Sequence, residues 1–393
     1  MHLKLFNSFL FISLFASSLL ANTNILSNTQ NNILDLTTKK SNEDVSKLKK
    51  DWIDKNAITY TYSYSKSDDE RLPELTKQSK LSINQSIFRS GGIYYAIKYA
   101  SNIKEDSQLS IKMQKQNLIV QTLNTVYSIK KLDLLIQQKN LALKNAIIDY
   151  DKKKESVFNG LLDISFLNNA ILLKNKTKIS LLDLELTKQN LINTLTTLSD
   201  LSYNDISLPS LNIIKKNKFT NSNLNIKKSQ LNIKKQTSLS GVSNAQYLPK
   251  VVLNYSKTLN HVKDTNSHAY GFSVVVPLDF KTLNAIQSNK LALLKEKANQ
   301  TLIKEEEEIF FKSNELEINN LDKKILITNQ NIRAYKELLS QTKEQYDAGL
   351  KTSNDVEVLS NSKQSEILSV KIYEIDKQMK LLELYKRLAN DKI

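Results

Sequence analysis

Cysteine is absent from the 393 residues of this chain, and glycine and proline are scarce, with six and four copies. Without cysteine the chain forms no disulfide, no thiolate metal site and no acylated lipoprotein N-terminus. Helix interiors avoid glycine and proline, because each of them disfavours the hydrogen-bonded helical turn. Their absence from residues 93–159, 161–208, 278–348 and 350–393 therefore predicts four long helices. At 1.5 Å per residue, the first of these would be about 100 Å long.

Residue types that carry catalysis or bind metals are also rare or unsuitably spaced. The histidines are His2, His261 and His268, and the sequence has neither a phosphate-binding glycine loop nor a metal-ligand spacing. Four consecutive acidic residues, Glu305–Glu308, fall within a predicted helix, where their side chains point in different directions. We interpret them as solvated surface, and we expect no enzyme activity, no metal site and no cofactor.

Residues 1–21 are interpreted as a secretory signal peptide. Lys4 supplies a positive charge, the stretch from Leu5 to Leu20 is apolar, and Ala21 is a plausible cleavage residue. The apolar stretch has about 16 residues, where a transmembrane helix needs roughly 20. A membrane anchor is the alternative interpretation.

The formal net charge is +16, and the lysines that carry it are spread along the whole chain. Diffuse lysine is typical of solvated surface, whereas a nucleic-acid site concentrates its basic residues. An exported chain also rarely meets nucleic acid, so we expect no nucleic-acid partner.

Within the predicted helices, apolar residues recur at every seventh position, a period typical of helices that pack in coiled-coil fashion. The two clearest series are Met113, Val120, Tyr127, Leu134, Leu141 and Ile148, and Phe311, Ile318, Ile325, Ile332 and Leu339. Gly160 and Gly349 each separate two long helical stretches. This predicts two antiparallel hairpins of long helices, for which a soluble helical bundle is an alternative on the helices alone.

Four short segments alternate apolar and polar residues instead, which predicts strands at 58–65, 81–87, 251–256 and 270–276. Such strands have one apolar and one polar face. They fit a soluble sheet packed on a core, or a transmembrane barrel with its apolar face toward lipid and its polar face toward a wet lumen. In the barrel, the lipid-facing residues would be Tyr60, Tyr62, Tyr64, Leu253, Tyr255, Tyr270 and Phe272.

Four strands are too few to close a barrel. Open sheet edges do not occur in lipid, and closed bacterial barrels begin near eight strands. Two chains would supply eight strands and three chains twelve, so the membrane interpretation requires an oligomer.

The sequence repeats this organisation. Residues 81–88 and 272–279 are both strand segments followed by a long helix, and they lie about as far apart as Gly160 and Gly349. We predict a first structural repeat at 22–204 and a second at 205–393, each with a short helix, two strands and a long helical hairpin. In the second repeat the short helix is expected at 223–245.

With this duplicated order of strands, long helices and glycine turns, the sequence resembles the TolC-like family of outer-membrane efflux proteins. Residues 160–170 are similar to the family's first hairpin turn, residues 346–356 to its second, and residues 245–249 and 274–278 to the segments that flank the second strand pair. The resemblance implies a fold that is mainly α with a small β part. In that fold, a trimeric, twelve-stranded transmembrane β-barrel is continued by a periplasmic α-helical barrel of coiled-coil hairpins.

The resemblance also implies a function. The homotrimer would lie in the outer membrane, in contact with its lipid, and extend into the periplasm. It would conduct substrates passively to the exterior from a periplasmic adaptor, or membrane fusion protein, and an inner-membrane pump.

The resemblance further implies two kinds of site at the hairpin turns. Adaptor contacts would be made at Asn159, Gly160, Leu161, Ala348, Gly349 and Leu350, and a pore constriction at Tyr346, Lys351 and Asp355. Three copies of Asp355 would form a carboxylate ring, which favours cations, and Lys351 could pair with Asp355 on one helix face. The sequence departs from the family at Phe166, where the first turn would offer an aspartate.

Two other functions compete with the channel. A periplasmic adaptor would have one hairpin and more glycine, and a secreted coiled-coil structural protein would need no amphipathic strands. The transported substrate does not follow from the sequence, because serine, threonine and asparagine select weakly.

Overall fold

The computed structural model describes residues 25–67 and 75–389. The elements are α1 (Asn28–Lys50), β1 (Ile58–Lys66), β2 (Leu75–Phe88), α2 (Gly92–Phe158), α3 (Ile164–Leu198), α4 (Lys216–Ser222), α5 (Leu224–Ala245), β3 (Lys250–Asn260), β4 (Thr265–Val275), α6 (Thr282–Asp347) and α7 (Ser353–Tyr385). This order confirms the mainly α fold with a small β part. The predicted signal peptide lies outside the described residues. In the part of the chain that is described, no helix is long and apolar enough to cross a membrane.

The chain divides into two compact units, and both predicted repeats contribute to each of them. The first unit consists of Gln114–Ser222 with the described parts of Met1–Ile33 and Ile309–Ile393. The second consists of the described part of Leu34–Met113 with Asn223–Glu308. The predicted repeat boundaries at 22–204 and 205–393 stay a prediction.

Part of the core of the first unit follows the predicted seven-residue period, and the remaining members of the two series are half-buried. Val120, Tyr127, Phe311 and Ile318 are all buried. The hydroxyl of Tyr127 donates a hydrogen bond to the carbonyl oxygen of Pro209 over 2.7 Å. Burial raises the pKa of Tyr127 to about 12, so the ring stays neutral at physiological pH.

Helices α2 and α7 are also joined by a series of polar contacts, here called the polar ladder. Its members on α2 recur every seven residues, and its pairs are Asn124–Glu383 at 3.0 Å, Lys131–Asp376 at 2.7 Å, Gln138–Ser369 at 2.7 Å, Asn145–Asn361 at 2.8 Å and Lys152–Asp355 at 3.6 Å. Polar pairs within a coiled-coil interface fix its register, because a shifted register leaves them without partners. The ladder therefore aligns the end of α2 with the start of α7.

Helix α3 is shorter than predicted, because it ends at Leu198 and not near residue 208. Ser199 is extended, with φ −142° and ψ 143°. The carbonyl oxygen of Leu198 accepts a hydrogen bond from Ser27 N, and the Asp200 carboxylate accepts one from Asn28 N. The N-terminal segment thus takes up the Leu198 carbonyl, which would accept a hydrogen bond within the helix if α3 continued.

All four strands of the second unit form one antiparallel sheet in the order β1-β2-β3-β4. The predicted strands are confirmed, although β2 begins at Leu75 and not at residue 81. The added residues include the polar run Lys77–Lys80, which shows no clear alternation but is paired on both sides, with β1 and, from Gln78 onward, with β3. Hydrogen bonding to a strand on each side thus keeps this run in a β-strand although its sequence lacks the alternation of a strand.

One residue of the acidic run is not on solvated surface, so that interpretation is wrong for Glu307. Its side chain is buried, and its two oxygens accept hydrogen bonds from the amides of Asn223 at 2.7 Å and Asn225 at 2.6 Å. Asn223 is the N-cap of α5, which runs from Leu224 to Ala245 as predicted. Glu307 therefore anchors the start of that helix.

Candidate functional site

The register of the sheet places all seven predicted lipid-facing residues on one face. Cross-strand partners project on the same side of a sheet, and one row of partners is Ile58, Ile83, Tyr255 and Tyr270. The face built on these rows is here called the tyrosine face. It carries Tyr60, Tyr62 and Tyr64 of β1, Leu253 and Tyr255 of β3, and Tyr270 and Phe272 of β4.

Within the described chain, large side chains of the tyrosine face remain in contact with solvent. Tyr270 is 88% exposed and Phe272 is 74% exposed. A soluble sheet would bury such residues against a core, because burial of aromatic surface is a main source of folding free energy. An uncovered aromatic face is instead typical of a sheet that meets lipid.

The opposite face of the sheet is polar and is here called the hydroxyl face. Its residues include Thr59, Thr61 and Ser63 of β1, Ser82 and Asn84 of β2, Asn254 and Ser256 of β3, and Ser267 and Ser273 of β4. Its ionisable residues within the strands are Lys80 and Lys250. The four strands contain no acidic residue, so this face offers hydrogen-bonding groups and little charge.

The two hairpin turns have the same backbone structure. Gly160 and Gly349 have φ values of +73° and +76°, the left-handed region that favours glycine. Leu161 N donates to Ser156 O over 2.8 Å, and Leu350 N donates to Gln345 O over 2.8 Å. Each long helix thus ends in a Schellman motif, which satisfies its last carbonyl groups.

The helices that follow the turns begin with different caps. Asp163 is the N-cap of α3 and accepts a hydrogen bond from Ser165 N over 2.8 Å. Thr352 is the N-cap of α7 and forms a capping box with Asp355. In this box Thr352 N donates to the Asp355 carboxylate over 3.1 Å, and Asp355 N donates to the Thr352 hydroxyl over 3.3 Å. The structure therefore gives Asp355 a role that the sequence analysis missed, although Thr352-x-x-Asp355 has the capping-box spacing.

The predicted gate residues occupy the second turn, but not with the predicted contacts. Lys351 precedes the N-cap Thr352, so it lies outside α7 and the two residues do not share a helix face as expected. Its positive charge nevertheless acts on Asp355 and helps to lower the pKa of that carboxyl. The ion pair of Asp355 is with Lys152 of α2, at 3.6 Å. Hydrogen bonds from the backbone N–H and the hydroxyl of Thr352, with smaller effects of the Lys152 and Lys351 charges, hold the pKa of Asp355 below its usual range.

Apolar side chains are exposed at both turns, and the first turn has more of them. Leu161 is 74% exposed and Leu350 is 75% exposed. The other exposed apolar residues of the first turn are Phe158, Leu162, Ile164 and Phe166, and Tyr346 is exposed near the second. Phe166 lies in the first turn of α3, where its ring is exposed.

No protein-family model and no curated protein sequence matches this chain. Solved structures do. The outer membrane protein VceC from Vibrio cholerae has a TM-score of 0.70 and 15% identity, over 91% of this chain and 93% of VceC. The chain has the fold of an outer membrane channel.

Two further structures have the same channel fold. The CmeC outer membrane channel of Campylobacter jejuni has a TM-score of 0.67 and 15% identity, over 92% of this chain and 83% of CmeC. The open state of the MtrE outer membrane channel of Neisseria gonorrhoeae has a TM-score of 0.67 and 14% identity, over 91% of this chain and 86% of MtrE. At the level of the fold, the resemblance drawn from the sequence is confirmed.

Proposed function

We propose that this chain is the outer-membrane channel subunit of a tripartite efflux or secretion system. It would act as a homotrimer that conducts substrates passively from a periplasmic adaptor and an inner-membrane pump to the exterior. The observation that carries the proposal is the sheet, which combines an exposed tyrosine face, a hydroxyl face and no acidic residue in its strands.

A closed barrel of several chains accounts for the edges of this sheet. β1 and β4 are its edge strands, and unpaired backbone groups of an edge cost several kcal/mol each in lipid. Joining β4 of one copy to β1 of the next removes both edges. Three copies give twelve strands, with the tyrosine faces toward lipid and the hydroxyl faces toward the pore.

The helices of the first unit support the same assembly. The side of α3 that is turned away from its buried residues carries Leu172, Ile179 and Leu186, which are exposed and seven residues apart. Helix α6 has the exposed pair Ile309 and Leu316, also seven residues apart. Such series are typical of coiled-coil interfaces. We assign α3 and α6 of neighbouring copies to one interface, which closes the helices into a ring.

The turns would then lie at the periplasmic end of the trimer. Their exposed apolar residues, with Leu161 and Leu350 at matching positions, suit a helical partner that buries apolar surface. We therefore keep Asn159, Gly160, Leu161, Ala348, Gly349 and Leu350 as proposed adaptor contacts. The proposed constriction comprises Tyr346, Lys351 and Asp355, with Lys152 added as the partner of Asp355.

Cell fractionation and one pair of matched variants test the proposal. The wild-type protein should be extracted from outer membranes as a heat-sensitive trimer and should form channels in planar bilayers. Ile179→Lys places a charge in the proposed interface and should reduce the trimer at least about tenfold, because a buried unpaired charge is strongly destabilising. The control, Thr187→Lys, adds the same charge beside the interface and should leave the trimer intact.

Two results would contradict the proposal at different levels. Recovery of the wild-type protein as a periplasmic monomer, without any membrane-bound pool, would refute the channel. A normal yield of Ile179→Lys trimer would refute only the α3–α6 interface.

A further inference from the structure

The basic residues of the tyrosine face are confined to one end of the sheet. At the end where the strands connect to helices, the face carries apolar and aromatic residues such as Leu253, Tyr270, Phe272 and Val274. At the other end, where β1 connects to β2 and β3 to β4, it carries Lys66, Lys77, Lys257, His261 and His268. The last four of these residues are here called the basic zone. The face therefore has two chemically different bands.

Backbone pairing brings the members of the basic zone together in two rows. Lys257 is the direct cross-strand partner of His268. His261 N donates to Lys77 O over 2.8 Å, which extends the β2–β3 pairing and places these two residues side by side. The two rows are four residues apart along β3, which is about 13 Å at the rise of a strand.

Tyrosines and one serine hold the basic zone in place. The Ser79 hydroxyl lies 3.0 Å from the Tyr60 hydroxyl and 2.7 Å from His261 Nε2. The Lys77 ammonium lies 5.7 Å from the centre of the Tyr64 ring, within reach of a cation–π interaction. These contacts orient cationic and hydrogen-bonding groups on a face that is otherwise aromatic.

The charges determine the depth at which this zone can lie in a membrane. A lysine on the lipid face of a barrel costs about 2–4 kcal/mol at the bilayer midplane and about 0–1 kcal/mol near an interface. The basic zone must therefore lie at headgroup level, with the apolar band beside it in hydrocarbon. Tyrosines at the same level are typical of the aromatic girdle of a barrel.

We propose that the basic zone binds phosphate groups of a lipid headgroup, one at each of its two rows, in the leaflet at the strand-turn end of the barrel. This inference rests on the proposed function, because it requires that the tyrosine face meet lipid. Lys77 and Lys257 would pair with phosphate oxygens, and the histidines and tyrosine hydroxyls would donate hydrogen bonds. A phosphorylated lipid is favoured over a free anion, because its acyl chains would cover the adjoining apolar band.

The sheet itself contains no carboxylate that could neutralise the lysines of the basic zone. No strand contains an acidic residue, and in the turn from His261 to Asp264 the only carboxylate is that of Asp264. The acidic residues of the β1–β2 connection are outside the strands and outside the described residues; they are Asp68, Asp69, Glu70 and Glu74. Within the strands, this end of the tyrosine face carries Lys66, Lys77 and Lys257 and no carboxylate, which gives the sheet itself a positive band that an anion can bind.

Native mass spectrometry of the delipidated, detergent-purified trimer tests the site. The probes are a diphosphorylated glycolipid, the same lipid without phosphate, and inorganic phosphate at equal concentration. The wild-type trimer should retain the phosphorylated lipid and neither of the other probes. The double variant Lys77→Gln/Lys257→Gln should bind it about tenfold more weakly or worse, since each basic residue near a membrane surface contributes substantially to anionic-lipid binding.

The sheet supplies its own matched control. Lys80→Gln/Lys250→Gln removes the same charge from the hydroxyl face and should keep lipid binding within about twofold of wild type. Lys77→Arg/Lys257→Arg should also keep it, which separates loss of charge from loss of fold.

Several outcomes would overturn the inference. Equal lipid binding by the two glutamine variants, retention of the dephosphorylated lipid, or binding of inorganic phosphate alone would each refute a lipid-phosphate site. Failure of the wild-type protein to form a membrane trimer would instead refute the proposed function, so the two failures are distinguishable.

Discussion

The carboxylate of Asp355 helps to cap helix α7 in the structure and is proposed to line the pore constriction, and Asp355→Asn should preserve the first role and remove the second. In the trimer, three copies of this carboxylate would face a narrow pore and favour cations. Within one chain, the same carboxylate accepts hydrogen bonds from Thr352 N at 3.1 Å and from the Thr352 hydroxyl at 2.9 Å. An asparagine oxygen can accept the backbone bond, so the start of α7 is kept while the charge is lost.

The structural contribution of each contact can be bounded. A helix N-cap contributes about 0.5–2 kcal/mol, and the Lys152–Asp355 ion pair contributes no more than about 1 kcal/mol, because it is long and solvent-exposed. Asp355→Ala would lose both the cap and the charge, and its effect on the channel could not be assigned to either. Asp355→Asn loses mainly the ion pair, so the free energy of unfolding should fall by less than about 1 kcal/mol.

The assay is block of single channels by a divalent cation in planar bilayers. Asp355→Asn should weaken the block and raise conductance, because the carboxylate ring becomes neutral. Thr352→Ala is the matched control, since it disrupts the capping box and keeps the carboxylate, and it should retain the block. Unchanged block in Asp355→Asn would show that Asp355 does not line the constriction.

The pH dependence follows from the lowered pKa of Asp355. A carboxyl whose pKa is lower in the folded state stabilises the fold above its unfolded pKa, and this stabilisation is lost as the pH falls through the folded value. The carboxylate therefore stays ionised down to the ordinary pKa range of aspartate, so divalent block should be the same at pH 7 and pH 5 and should be lost only below that range. Loss of block near pH 6 would point to a different titrating group.

Two further predictions concern stability and the turns. Tyr127→Phe should lower the free energy of unfolding by about 1 kcal/mol in denaturant titrations, because the Pro209 carbonyl loses its donor. The control Tyr94→Phe, at an exposed tyrosine, should have no measurable effect. An equal loss in both variants would contradict a stabilising role of the Tyr127 hydrogen bond. Gly160→Glu and Gly349→Glu should abolish export without reducing trimer abundance, because an added side chain meets open space at both positions and only the backbone is strained. Gly271→Ala, also in open space but at ordinary φ, is the control, and normal export by the two turn variants would remove the tips from the adaptor site.

Patterns that depend on the periodicity of one element were readable from the sequence. The seven-residue apolar series predicted helices that bury Val120, Tyr127 and Ile318, and the alternation of β1 and β4 predicted which residues share a face. Gly160 and Gly349 predicted the two hairpin turns, and both residues have the positive φ that favours glycine. These features are local, so the chain itself encodes them.

Features that depend on a partner from a distant part of the chain were missed or misread. The end of α3 is set by Asn28 and its neighbour Ser27, and Asn28 lies 172 residues before its partner Asp200, whereas the stretch without glycine and proline continues to residue 208. Glu307 is buried because Asn223 and Asn225 supply amide donors. A polar residue is indistinguishable from solvated surface until its partner is known.

The polar ladder was readable in part, since Asn124, Lys131, Gln138, Asn145 and Lys152 recur at intervals of seven like the apolar series. Only one member of each pair was visible in this way, because the partners on α7 are spaced by seven, eight and six residues. The spacing signals an interface, whereas the identity of the facing helix requires the fold.

The two turns share one backbone but present different surfaces, which separates their proposed roles. The first presents the exposed apolar residues Phe158, Leu161, Ile164 and Phe166. The second presents Lys351 and the capping pair Thr352 and Asp355, tied to α2 through Lys152. An exposed apolar turn suits a protein partner that buries it. A charged turn that is tied to the neighbouring helix by an ion pair suits a role in ion selection and in holding the helix ends in position. A repeat that conserves the turn geometry can therefore assign adaptor docking mainly to the first hairpin and the constriction to the second.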